Sequence, residues 1–437
     1  MSGIAIALLT VGLMLVLIYA GVHVAVALLV LSFAGVWMLR GSFDIAANTM
    51  VLAFKDSISD YLFGVVPLFV LMGLVVAAAG LGRDAFDVAH QAFRRLRGGL
   101  GVSTVAANAI FAAITGISIA SAAVFTKVAV PEMRRHGYTP AFSVGVVAGS
   151  SVLGMLLPPS LLFILYGVLT EQSVGALFIA GILPGLLLAL IYCVGIVLAA
   201  RFRPDWVCPA QPIEEAPPLM GWAEIGAKIG PIVLLVALVM GGIYGGIFTP
   251  TEAGAVGAFA AIVIAVAKGR LTWPVLKSVL IQTGHTTAAV CFLILAASFY
   301  SRMLALSGMP GWLGNAVLTA GLDASTVVLL MALLLILLGT ILDSSSIMLL
   351  VIPIAFPVLS AMGTDLIWLG VIVILAVEIG LLTPPFGMAV YVVKATLGPA
   401  SDITLGQIFK GSAPFALAML FLLLLVFFFP PLATALL

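Results

Sequence analysis

The sequence predicts an all-α polytopic membrane protein built from two inverted repeats. Composition is the first reason: the 437 residues are 63% hydrophobic and 8% charged, with a mean hydropathy of +1.32, whereas soluble domains carry roughly 25% charged residues. The second is that apolar runs of bilayer-spanning length recur along the whole chain. The third is an echo. Gly154-Met155-Leu156-Leu157-Pro158-Pro159 lies inside one such run, and Gly380-Leu381-Leu382-Thr383-Pro384-Pro385 inside another.

About ten spans are expected, at about 4–21, 24–39, 62–80, 140–169, 175–200, 229–247, 251–267, 279–300, 366–395 and 412–429. Met1-Ser2-Gly3-Ile4 runs into apolar residues without a basic n-region, so the first helix is expected to be retained rather than cleaved. Two more stretches, about 100–132 and 326–360, are too long for one crossing. Polar residues interrupt each midway: Thr115-Gly116-Ile117-Ser118-Ile119-Ala120-Ser121 in the first and Gly339-Thr340-Ile341-Leu342-Asp343-Ser344-Ser345-Ser346 in the second. Arg94, Arg95 and Arg97 precede the first stretch and Arg134 and Arg135 follow it. A single crossing would put these clusters on opposite faces, against the positive-inside bias; a re-entrant hairpin keeps them together. With two hairpins and both termini periplasmic, cytoplasmic segments also hold Arg83, Arg201, Arg203, Lys228, Lys268, Arg270, Lys277, Lys394 and Lys410. Only Arg40, Lys55 and Arg302 fall outside, and Lys127 lies within the first hairpin.

From Arg83 to Arg97 a stripe of Phe86, Ala89, Phe93 and Leu96 faces away from Arg83, Arg94 and Arg97, which predicts an amphipathic arm along the membrane surface. Residues 204–221, with Pro204, Pro209, Pro212, Pro217 and Pro218 beside Asp205, Glu214 and Glu215, read as a linker. The repeats are then 1–203 and 222–437. An offset of 226 residues superposes Ser118 on Ser344, Pro131 on Pro357, Gly154 on Gly380, Pro158 on Pro384 and Pro159 on Pro385. The first repeat begins outside and the second inside. Inverted repeats with paired broken helices are the pattern of alternating-access transporters.

The chemistry follows from the prolines. A proline cannot donate to the carbonyl four residues back, so Pro158 and Pro159 release the carbonyls of Gly154 and Met155, and Pro384 and Pro385 those of Gly380 and Leu381. Free carbonyls at membrane depth suit a hard alkali cation. Ser118, Ser121, Ser344, Ser345 and Ser346 offer further oxygens, and half-helix N-termini favour an anion, although each serine equally suits capping its own helix. Asp343 and Glu378 are carboxylates at membrane depth, where a charge costs at least ~2.5 kcal/mol. Asp343 suits either a counter-charge or a helix cap; Glu378 suits pairing within the protein. Lys127 reads as a snorkelling side chain rather than an anion ligand. Thr249, Pro250 and Glu252 form a capping box at a helix start.

Other classes are disfavoured. A net charge of +1 without a basic, aromatic-interleaved patch argues against nucleic acid. Cys193, Cys208 and Cys291 form no disulfide framework, the four histidines show no metal-ligand spacing, and there is no P-loop. No organic cofactor and no enzymatic activity are expected. A hydrolase built on Asp343 and Glu378 would lack a second catalytic constellation, and a pure scaffold has no use for duplicated broken helices.

The chain resembles the large membrane subunit of tripartite ATP-independent periplasmic (TRAP) transporters, the DctM-type M subunit. The residues that carry this are Pro67-Leu68-Phe69 with Gly73, Thr115-Gly116 through Pro131-Glu132-Met133, Gly137-Tyr138, and Leu157-Pro158-Pro159-Ser160 with Tyr166-Gly167. Gly245 to Ala253 and Thr383-Pro384-Pro385-Phe386-Gly387 complete the set. The resemblance implies an elevator-type transporter of the bacterial or archaeal inner membrane, with scaffold and transport domains, driven by Na+. It implies three partners: a small four-helix membrane subunit, a periplasmic substrate-binding protein and an organic anion of dicarboxylate, keto acid or sugar acid type. Carried over, the cation sites are Gly116, Ser118, Ser121, Gly154 and Pro158, and Asp343, Ser344, Gly380, Thr383 and Pro384; Ser118, Ser345 and Ser346 would face the substrate. Ile117 stands where many relatives have a small polar residue, which removes one side-chain ligand. The alternative is a stand-alone cation-coupled anion symporter without a binding protein.

Overall fold

The computed structural model describes residues 2–209, 219–399 and 401–437. Of the expected linker, Pro212, Glu214, Glu215, Pro217 and Pro218 lie outside the described residues. The first half runs α1 (Gly3–Tyr19), α2 (Val24–Arg40), α3 (Phe43–Ser59), α4 (Val65–Ala78), α5 (Leu81–Phe93), α6 (Gly99–Thr115), α7 (Ser118–Arg135), α8 (Pro140–Ser151), α9 (Leu153–Leu156), α10 (Leu161–Thr170), α11 (Val174–Phe202) and the single turn α12 (Pro204–Val207). The second runs α13 (Trp222–Tyr244), α14 (Pro250–Ala267), α15 (Trp273–Ser307), α16 (Met309–Thr319), α17 (Ala324–Gly339), α18 (Ser344–Ala361), α19 (Leu366–Leu382), α20 (Met388–Leu397), α21 (Leu405–Phe428) and the turn α22 (Pro431–Thr434). Among the described residues there is no strand.

The expected hairpins are α6–α7 and α17–α18, and the expected broken helices are α8–α10 and α19–α20. The second arms of the hairpins, Ser118–Arg135 and Ser344–Ala361, lie 226 residues apart at both ends. The same offset relates the starts of α2 and α14, and of α8 and α19. Packing obeys a swap between the halves. Helix α4 packs on α14 while its counterpart α15 packs on α2; α8 packs on α21 while α19 packs on α11; α10 packs on α18 while α20 packs on α7. Neither half buries its apolar faces alone.

Three features escape the reading by apolar runs. Helix α3 carries Asp44, Asn48, Lys55 and Asp56, too polar to register as a span. Helix α16 has only 11 residues, and α15, with 35, begins ahead of the expected boundary at 279. The arm is α5, turned 60° from α4 at Gly80, whose φ of +70° suits a residue without Cβ. Phe86 and Ala89 are buried as expected, but Leu96 lies beyond the helix end and is exposed. Asp84 is buried on this arm, and Lys268 Nζ and Arg270 Nη1 both reach its Oδ2. Lys228 Nζ donates to Asp87 at 2.8 Å. A buried carboxylate needs such partners. The capping box forms as read: Thr249 N donates to Glu252 Oε2 at 2.8 Å and Glu252 N to Thr249 Oγ1 at 3.3 Å.

Small residues set the tightest crossing, that of α8 with α21. A Cβ on Gly145 would lie 2.2 Å from the Gly411 carbonyl, and one on Gly411 would lie 1.9 Å from the Ala141 oxygen. Without a hydrophobic drive between helices in lipid, close backbone approach supplies the attraction. Gly411→Val is therefore expected to destabilise the purified protein by at least ~1–3 kcal/mol. Gly195→Ala, which meets nothing within 4 Å, is expected to be neutral. Thermal unfolding of both in nanodiscs is the check, and equal midpoints would show that the crossing tolerates a side chain.

Candidate functional site

The two interrupted helices and the two hairpin tips meet in pairs. In the first half α6 ends at Gly116, whose φ is +61°, and a Cβ there would lie 2.2 Å from the Pro159 oxygen. Only glycine fits both constraints. The Gly116 carbonyl accepts from Leu161 N at 3.2 Å, so the tip satisfies a backbone donor at the restart of the broken helix. On the other side of the break, a Cβ on Gly154 would lie 3.2 Å from the Ile117 carbonyl carbon and the Ser118 nitrogen. Gly73 of α4 closes over Thr115, where a Cβ would approach the carbonyl oxygen to 2.9 Å. Gly116, Ser118, Gly154 and the Pro158-Pro159 pair, joined by a cis bond, are thus brought together. Ser121 lies one turn along α7.

Several oxygens here have no partner. Ser118 Oγ and Ser121 Oγ are buried without a hydrogen bond. So is Asn108 Oδ1 on α6, although its Nδ2 donates to Ser150 Oγ at 2.6 Å. Ile117 occupies the N-cap of α7 and supplies no side-chain cap. The released carbonyl of Met155 is not free, because Ser160 Oγ donates to it while also capping α10 through Phe163 N at 3.4 Å. An orphaned buried hydroxyl costs about 1–3 kcal/mol, which a bound cation or polar ligand would relieve.

The second tip is similar with substitutions. Gly339 and Gly380 cross backbone to backbone: a Cβ on Gly380 would lie 2.5 Å from Gly339 Cα. Thr340 O accepts from Phe386 N at 3.1 Å and Gly387 N at 3.3 Å. Pro384 and Pro385, again cis, are exposed, whereas Pro158 and Pro159 are buried. The carbonyl of Gly380 is not free either: Thr383 N donates to it at 3.0 Å, and Thr383 Oγ1 donates to Ile379 O at 2.7 Å. These bonds correct the expectation of bare carbonyls at Met155 and Gly380. The chain turns tightly enough after each to supply a local donor.

The two carboxylates take separate roles. Asp343 caps α18, accepting from Ser346 N at 3.1 Å and from Ser346 Oγ. Glu378 is 1% exposed; its Oε1 accepts from Ser344 Oγ at 3.2 Å and its Oε2 has no hydrogen-bond partner. Lys127 is exposed on α7. Asp343, Ser345 and Ser346 line a cavity of 630 Å³ together with His23 of the α1–α2 turn and His285 of α15. The histidines were invisible as a pair, being far apart in sequence and without ligand spacing. Only the packing of α15 against α1 and α2 joins them. Gly73, read only as a motif residue, and Gly339, read only as the start of a polar interruption, were not placed at the site, because their close approach to Thr115 and Gly380 is a tertiary contact.

Because Asn retains a capping oxygen, Asp343→Asn is expected to unfold at the wild-type midpoint and Asp343→Ala to lose about 1 kcal/mol. Equal losses in thermal unfolding would mean that charge, not capping, holds the tip. Gly116→Ala is expected to cost at least ~1–2 kcal/mol from its positive φ alone, and limited proteolysis should then cut the tip faster.

Residues 11–432 match the family model for the tripartite ATP-independent periplasmic transporter, DctM component. The chain is 34% identical over 392 residues, 90% of either chain, to the C4-dicarboxylate TRAP transporter large permease protein DctM of Pseudomonas aeruginosa. It is 31% identical over 95% of its length and 94% of the relative's to the sialic acid TRAP transporter large permease protein SiaM of Vibrio cholerae. It is 29% identical over 86% of its length to the isethionate TRAP transporter permease protein DctMQ of Oleidesulfovibrio alaskensis, covering 58% of that longer chain. The YdaH transporter of Alcanivorax borkumensis shares the fold at a TM-score of 0.62 and 16% identity, over 90% of this chain and 89% of that one. With duplicated hairpins on broken helices and a family match over nearly its whole length, the chain belongs to the DctM family, the large permease subunit of TRAP transporters.

Proposed function

We propose that this permease imports an organic acid into the cell, driven by Na+ and handed over by a periplasmic binding protein. It works in the inner membrane beside a small four-helix membrane subunit, with both termini periplasmic. The observation that carries the reading is the pair of hairpin tips seated on interrupted helices, with the buried oxygens of Ser118 and Ser121 left without partners. Na+ is a hard cation that takes oxygen ligands, and two tips offer two sites. One comprises Gly116, Ser118, Ser121, Gly154 and Pro158; the other comprises Asp343, Ser344, Gly380, Thr383 and Pro384. The relatives named above are C4-dicarboxylate, sialic acid and isethionate transporters, and the shared chemistry is an organic anion. Ser345 and Ser346, with Ser118 from the first tip, bind its oxygens, and the cavity shared with His23 and His285 is where it sits.

Movement follows from the swapped packing. The hairpins and broken helices move as a transport domain against a scaffold that includes α1, α2, α13 and α14, and the arm α5 bends between them. The cavity at the second tip opens beside the α1–α2 turn, the side to which the charge distribution assigns the cytoplasm. The state described is then inward-facing.

Uptake into proteoliposomes holding the permease, its small membrane partner and its binding protein tests this, using labelled organic acids with and without an inward Na+ gradient. Uptake is expected to require both Na+ and the binding protein. Removal of the Ser118 and Ser121 hydroxyls by alanine is expected to raise the half-saturating Na+ concentration roughly fivefold each, as befits about 1 kcal/mol per lost oxygen. Uptake without the binding protein would establish the stand-alone symporter instead, and a proton gradient sufficing alone would remove Na+ from both sites.

A further inference from the structure

Away from the hairpin tips, cationic side chains from separate segments converge on one cavity. Its volume is 490 Å³, and around it stand His90 and Arg94 at the end of α5, Arg97 in the connection to α6, His136 after α7, and Arg201 at the end of α11. No Asp or Glu lines it among the described residues. Two nearby acids are engaged: Asp87 is held by Lys228, and Glu132 lies 3.6 Å from the His136 ring; Asp205, between the lining residues Pro204 and Val207, is exposed and does not line the cavity. Arg94, Arg97 and Arg201 form no ion pair among the described residues. Burial, the largest influence on His90, pushes its imidazole below the ordinary range, so the fixed charge at the cavity comes from the arginines.

Like charges gathered without counter-charge repel one another, and an anion entering the cavity reverses the sign of that energy. Guanidinium groups fit the oxygens of phosphate in forked pairs. A further contribution comes from the start of α6, where Gly98 sits at φ +76° and leaves the helix N-terminus without a side-chain cap. The Gly99 N–H already donates to the Leu96 carbonyl at 3.0 Å, so what this helix start adds is the positive end of its dipole rather than a free donor. Exposed apolar side chains flank the basic ones: Leu96 between Arg94 and Arg97, and Leu198 and Phe202 about Arg201. Basic pockets among membrane helices with apolar flanks suit a charged lipid head.

We propose that this cavity binds a phosphate-bearing anion, either the headgroup of an acidic phospholipid or free phosphate, between the arm α5, the base of the first hairpin and the end of α11. Because separate elements contribute, the bound anion ties the arm to the hairpin base.

The test uses the delipidated full-length protein and its Arg94→Gln/Arg97→Gln/Arg201→Gln variant, with Lys277→Gln as a basic-residue control outside the cavity. Native mass spectrometry measures retention of phosphatidylglycerol against phosphatidylcholine, and thermal unfolding measures protection by inorganic phosphate. Selective retention of phosphatidylglycerol, weakened roughly fivefold per arginine removed and unchanged in the control, identifies the lipid as the source. Protection by inorganic phosphate without lipid preference, lost in the triple variant, identifies free phosphate. No preference and no protection in the wild type, or equal binding by the triple variant, overturns the proposal. Should the triple variant fail to fold, Arg201→Gln alone, at an exposed position, is read by the same criteria.

Discussion

Hydrocarbon offers backbone groups no water, so a helix can be interrupted within a membrane protein only where other parts of the protein satisfy what the break exposes. That constraint organises this molecule. Two consecutive prolines twice remove donors from a spanning helix, and each time a hairpin tip arrives to meet the break. Gly116 accepts from Leu161 and Thr340 from Phe386 and Gly387. The glycines at the crossings, Gly116 against Pro159 and Gly339 against Gly380, are what allow backbone to approach backbone so closely. Ser118 Oγ and Ser121 Oγ are left buried without partners at the first of these junctions.

The halves share geometry but not chemistry. At the N-cap of the hairpin's second arm stands Ile117 in one repeat and Asp343 in the other, 226 residues on. Asp343 satisfies its helix through Ser346, whereas the first tip leaves Ser118 and Ser121 bare. Glu378, whose counterpart at the same offset is Val152, gives the second tip a buried carboxyl hydrogen-bonded to Ser344. The first break is buried and the second partly exposed beside a 630 Å³ cavity. A duplicated frame can therefore hold two sites of different character, because backbone geometry is fixed by glycine and proline while the side chains are free to diverge.

The swap between halves explains why the frame is a single body. Each half-helix beyond a break packs on the second arm of the other half's hairpin, α10 on α18 and α20 on α7. Displacing one tip must disturb both repeats. The arm α5, by contrast, is held by ion pairs from α13 and the end of α14, and it meets the hairpin base around the arginine-lined cavity.

Much of this was legible in the residues. Apolar runs located the spans, the arginine clusters turned one long stretch into a hairpin, and Pro-Pro pairs at a constant offset found both breaks. These signals are local or depend only on the membrane as solvent. Helices α3 and α16 were not legible, since polar or short helices carry no hydropathy signal. Nor were the partners of the released carbonyls, because Ser160 and Thr383 supply donors only after the chain has turned. The sequence by itself determined that the chain is a duplicated membrane transporter with broken helices, since bilayer thickness and proline stereochemistry act at each residue alone. Tertiary structure alone decided which oxygens stay unsatisfied, that His23 and His285 share a cavity with Asp343, and that Arg94, Arg97 and Arg201 meet. Those facts depend on which distant elements pack together, and no local pattern encodes that.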